Sequence, residues 1–109
     1  RMLPDLSVQE IIDCSWRYGN CGCSSGFAQR AYIYCVENGI STSLAYPYRA
    51  EDLQCNRNNL FNLYNLQGYT DLTPGDEENL LRAVYHIGPI SISLDANFDD
   101  FIFYGSGII

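Results

Sequence analysis

The chain has 109 residues, of which 47% are hydrophobic and 14% aromatic, and it carries a net charge of −7. That balance fits a globular fold and excludes disorder, while six singly scattered Lys and Arg exclude the basic clusters that nucleic acid or an anionic membrane surface requires. No apolar run approaches the roughly 20 residues that cross a bilayer. Arg1 to Asp5 lacks the basic segment and apolar core of a secretory leader, and a chain opening on Arg1 reads as a processed piece or part of a longer protein.

Ser7 and Glu10 form a capping box in which the hydroxyl takes the third backbone N–H and the carboxylate reaches back. The helix that follows runs from about Val8 to Cys14, with Val8, Ile11 and Ile12 on one face. Ser15 to Ser25 is a loop rich in Gly, Asn and Ser, carrying Trp16 and Tyr18 as apolar anchors. A second helix spans about Phe27 to Asn38, with Phe27, Ala31, Tyr34 and Cys35 on one side and Gly39 as its stop. From Ile40 to Leu66 the chain is irregular, and a stretch of that length needs a staple to be ordered.

Gln67 to Leu72 reads as a strand. Thr73 then caps a third helix with Pro74 at its first position and Asp76, Glu77 and Glu78 at the positive end of its dipole. Leu80, Leu81, Val84 and Ile87 supply its buried face. Ile90, Ile92 and Leu94 alternate with Ser91, Ser93 and Asp95 as in a strand with one covered side. Phe98 to Phe103 forms one helical turn, and Gly105 to Ile109 begins another strand. Helices in front and strands behind make the class α+β.

Five cysteines favour an oxidising or lumenal setting, and the odd count leaves at least one free or bonded outside the chain. Cys14, Cys21, Cys23 and Cys35 do not show the paired C-x2–4-C spacing of structural zinc, so disulfides account for them better and no metal is expected. No cofactor is expected either. The lone histidine, His86, sits near a helix C-terminus where a cation is mildly favoured, and a catalytic role for it is rejected.

The segments LSVQEIIDCS (Leu6 to Ser15), GCSSG (Gly22 to Gly26), Tyr46-Pro47-Tyr48 and GPISISLDA (Gly88 to Ala96) occur in an order that resembles the middle of a papain-like cysteine peptidase of the cathepsin L type. The resemblance covers Leu6 to Ile109. It implies a partial papain-like fold, with residues 1–66 from the helical lobe and 67–109 from the start of the β-rich lobe. In that family the nucleophilic cysteine lies before the first of these motifs, and the histidine and asparagine lie after the last.

The implied function is therefore scaffold and substrate-pocket wall of a cysteine endopeptidase, inactive alone. Its partners would be the N- and C-terminal segments of the same domain and a peptide substrate, in a lysosomal or extracellular setting. The rival reading is a non-catalytic, peptidase-derived binding or assembly protein. By position the resemblance implies that Gly26 pairs with an extended substrate and that Ser25 stands where the family has glycine. It also implies that Phe27, Ala28 and Ser93 line a substrate pocket, although ordinary packing would explain these three without it. A Cys14–Cys55 disulfide is implied, and a bond from Cys23 to a cysteine outside the chain. Cys21 and Cys35 are left to pair with each other, to stay as thiols, or to bond another chain.

Overall fold

Ser7 starts the first helix as the sequence suggests: its backbone is extended and its Oγ accepts the Glu10 N–H at 3.0 Å. The computed structural model describes residues 2–109 and divides into two units, one ending at Asp71 and the other spanning Leu72–Ile109. α1 runs Val8–Cys14, a 3-10 turn follows at Trp16–Tyr18, and α2 runs Ala28–Asn38. The second unit holds α3, Glu77–His86, and the single turn α4, Asp99–Ile102.

Only half of the capping box forms. The Ser7 N–H donates to the Ser41 carbonyl at 2.9 Å, so the Glu10 carboxylate is released from the cap and turns into the interior. Glu10 is fully buried, as is Gln9, and Asp13 is nearly so, while Val8 stays exposed. A buried carboxylate is tolerable only with hydrogen-bond and charge partners. Glu10 has them: it accepts from Tyr34 Oη at 2.8 Å, from the Ser41 N–H at 3.0 Å and from Ser41 Oγ. The Arg57 guanidinium lies 3.7 Å away.

The same polar face explains why the long irregular stretch is ordered. Gln9 Oε1 accepts the Arg49 N–H and its Nε2 donates to the Glu51 carbonyl, both at 2.8 Å. Asp13 accepts the Leu53 N–H at 3.1 Å and Tyr46 Oη at 2.8 Å. These side chains provide the partners that a ladder would otherwise give to backbone N–H and C=O groups. The staple is present as well: Cys14 and Cys55 are disulfide-bonded across 41 positions of sequence. Closing such a loop stabilises a fold by about 3–4 kcal/mol where chain entropy dominates. Around the bridge lies a small apolar core of Cys14, Tyr34, Cys35, Ile40 and Tyr46.

α2 begins one residue later than expected, since Phe27 is its extended N-cap, and Gly39 ends it with its N–H on the Cys35 carbonyl. In α3 the cap is Asp76, whose Oδ1 accepts the Asn79 N–H at 3.0 Å. Thr73 is not the cap. It accepts the Asp76 N–H across a turn at Pro74-Gly75, so the helix starts three residues downstream. The expected buried face of α3 is open within its unit: Leu81, Val84 and Ile87 are exposed and Ala83 alone is buried. The expected strands at 67–72, 90–94 and 105–109 do not form. The described residues contain only the isolated bridges Leu6–Thr42, Cys21–Ser25 and Ile40–Tyr64. A strand exists by pairing, and among the described residues no ladder runs along these segments.

Candidate functional site

The turn between the 3-10 segment and α2 is where four of the five predicted pocket residues meet. It closes on itself through the Cys21 N–H to the Ser25 carbonyl at 2.9 Å and the Ser24 N–H to the Cys21 carbonyl at 3.0 Å. Ser25, Gly26, Phe27 and Ala28 then border an open depression of about 360 Å³ whose other lining includes Ile11, Ile12 and Ala31. Ser93, the fifth, is an exposed residue of the second unit.

Two side chains outside the predicted set hold this turn. Asp52 Oδ1 accepts the Cys23 N–H at 2.7 Å at its tip. Gly22 makes room for that carboxylate: its φ is +55°, and a Cβ there would fall 2.1 Å from Asp52 Oδ1. Asp52 lies three residues before Cys55, so the disulfide also helps bring this carboxylate to the turn. At the exit, buried Asn20 donates from Nδ2 to Ser15 Oγ and accepts the Phe27 N–H on Oδ1, each at 2.9 Å. A Cβ on Gly26 would meet Asn20 Oδ1 at 2.7 Å. Glycine is required at 26 by that contact, since its φ is not in the left-handed region.

Cys21, Cys23 and Cys35 are all free thiols, the first two exposed and the third buried. A nucleophilic cysteine needs its pKa lowered by positive surroundings. Desolvation and then the Asp52 carboxylate push Cys23 up instead. Burial, followed by the Glu10 charge, pushes Cys35 up to about 11. His86 lies in the last turn of α3, in edge contact with Tyr85, and belongs to the second unit. Among the described residues no group of three or more His, Cys, Asp or Glu is placed to hold a metal.

Sequence reasoning missed Asn20, Asp52 and the inward turn of Glu10. Gln9 and Asp13, which bond at i, i+4 (2.8 Å), did leave a signal as polar residues at helical spacing. Asn20 left none, being one asparagine in a polar loop.

Across residues 1–109 the chain matches the model of the papain family cysteine proteases. It is 40% identical over 108 residues to cathepsin L1 of Drosophila melanogaster, covering 98% of this chain and 29% of that protein. To human cathepsin L2 it is 43% identical over 107 residues, 97% of this chain and 32% of that one. The solved cysteine protease of Carica candamarcensis superposes with a TM-score of 0.88 at 30% identity, over 97% of this chain and 49% of its own. The chain thus spans less than a third of the length of these two cathepsins.

Proposed function

This chain belongs to the papain family of cysteine proteases, in its cathepsin L-type branch, and from that premise we propose that it is a portion of a peptidase which supplies scaffold and one wall of the substrate cleft. The complete domain attacks a peptide carbonyl with a cysteine thiolate, forms an acyl-enzyme and releases it to water. That thiolate and its histidine come from other segments of the domain. In this chain desolvation and neighbouring carboxylates hold the Cys23 and Cys35 thiols against thiolate formation, and no histidine shares their unit. Residues up to Leu66 belong to the helical lobe and those from Gln67 to the β-rich lobe.

The observation that carries this reading is the clustering of Ser25, Gly26, Phe27 and Ala28 around one depression, on a turn pinned at both ends. Its apolar floor of Ile11, Ile12 and Ala31 is covered by other segments of the domain. Its rim is left to an extended peptide, with the Gly26 backbone pairing to it and Phe27 and Ala28 meeting the side chain two residues before the cut. Exposed Cys23 bonds a cysteine outside the chain. The setting is lysosomal or extracellular. No helix among the described residues is long and apolar enough to cross a membrane.

The test has two parts. The isolated chain shows no turnover of peptides that depends on a cysteine, and such turnover would overturn the reading. In the complete domain, Ala28→Phe changes the ranking of substrates that differ only two residues before the cut. An unchanged ranking removes the cleft-wall role.

A further inference from the structure

The Asn20 carboxamide is a small bracket between two helix ends. Its Nδ2 donates to Ser15 Oγ, which itself donates to the Ile11 carbonyl at 2.6 Å, so the bracket is anchored in the last turn of α1. Its Oδ1 accepts the Phe27 N–H at the start of α2. Phe27 has no side-chain cap of its own to offer that helix. Asn20 is 7% exposed and Ser15 fully buried, so the bond between them is shielded from water, and the bond to the Phe27 N–H is part-buried. The same Oδ1 fills the space that a side chain at 26 would need. One atom therefore sets both where Gly26 stands and which way the Phe27 backbone leaves the turn.

We propose that Asn20 is a positioning residue for substrate recognition: by holding the Phe27 N–H from the buried side, it fixes the Gly26-Phe27-Ala28 rim at the place an extended peptide must meet. The inference rests on the cleft-wall reading above and adds the residue that sets the wall's position. Asn20 itself does not touch the peptide. Its loss lets the rim move toward the space vacated behind Gly26. Binding of peptides that reach the rim weakens, and the chemical step on an already bound acyl group is untouched.

The experiment uses the complete peptidase domain with this segment in place, its active fraction counted by active-site titration. Asn20→Ala and Ser15→Ala are compared with the parent on two substrates. One is a peptide that extends two or more residues before the cut, and the other is a single-residue ester that stops short of the rim. Loss of one hydrogen bond corresponds to about tenfold. Asn20→Ala is expected to raise KM for the long peptide by about tenfold at unchanged kcat, to leave the ester rate alone, and to speed hydrogen exchange at the Phe27 amide. Ser15→Ala, which frees Nδ2 but keeps Oδ1, gives the same pattern more weakly and serves if Asn20→Ala does not fold.

Equal losses on both substrates, or a long-peptide KM that stays put while the Phe27 amide exchanges faster, overturn the proposal. Failure of the cleft-wall reading looks different: Ala28→Phe then leaves the substrate ranking unchanged. A changed ranking with Ala28→Phe but no selective loss with Asn20→Ala or Ser15→Ala sinks the positioning role alone.

Discussion

The unit ending at Asp71 and the unit Leu72–Ile109 place their polar and apolar side chains in opposite ways. In the first, α1 turns Gln9, Glu10 and Asp13 inward and uses them to tie down backbone groups 31 to 42 residues away in sequence. In the second, α3 carries a well-formed apolar stripe that its own unit leaves open, with Ile87 83% exposed. The contrast teaches that irregular chain can be made rigid by a few satisfied polar groups and one disulfide. Regular amphipathic helix, by contrast, gains most of its stability only when its face is covered.

The largest effect should come from the most buried charge. Glu10→Ala leaves the Tyr34 hydroxyl, the Ser41 N–H and the Arg57 guanidinium without their shared partner. A cost of about 3–5 kcal/mol is expected. Urea unfolding followed by tyrosine fluorescence measures it, and a loss under 1 kcal/mol would show that the network is not what orders the unit. Reducing Cys14–Cys55 comes next, at about 3–4 kcal/mol. The same titration with and without reductant reads it, and amides of α3 should not respond.

A pH scan sharpens the comparison further. Cys35 is pushed up to about 11, and burial followed by the Glu10 carboxylate raises Tyr34 while burial raises Tyr46. These groups fold in their neutral forms. For Cys35 that contribution is complete below about pH 9 and is lost as pH climbs through its folded-state value of about 11, because the unfolded chain ionises first. A drop of about 2 kcal/mol is expected between those limits for Cys35. Thermal melts at pH 8 and 11 check it, and Cys35→Ala should remove its part of the slope.

Gly26→Ala drives a methyl toward Asn20 Oδ1 and is expected to cost about 1–3 kcal/mol. The smallest effect falls in the other unit. Leu81→Ser and Val84→Ser change side chains that are already wet, so in this chain each should stay within about 0.5 kcal/mol. In the complete domain the same changes should cost several times more if another segment covers α3, and equal costs in both settings would break the comparison.

Local signals were legible where a few neighbouring residues decide the outcome. The bounds of α1 follow from Ser7 and the residues after it, and α2 and α4 lie within a residue of their expected places. Signals failed where the deciding partner is remote. Glu10 reads locally as the partner of a cap three residues away, but Tyr34 and Ser41 claim it from much further along the chain. Thr73 was a plausible cap until the Pro74-Gly75 turn handed that place to Asp76. The alternation in Ile90 to Leu94 describes a strand that only a neighbour can complete. At the site, the family resemblance implied the Cys14–Cys55 disulfide, which forms, and pointed to Ser25 through Ala28, whose cleft role is the proposal above. Asn20 and Asp52 had to be seen holding them.

Native-state hydrogen exchange along the whole chain tests the central contrast most directly. The account predicts the slowest amides in α1, in α2 and at Arg49 and Leu53, where Gln9 and Asp13 act as acceptors, with fast exchange from Leu72 to Ile109. Uniform protection across both units, or rapid exchange at Arg49 and Leu53 while α3 stays protected, would contradict it.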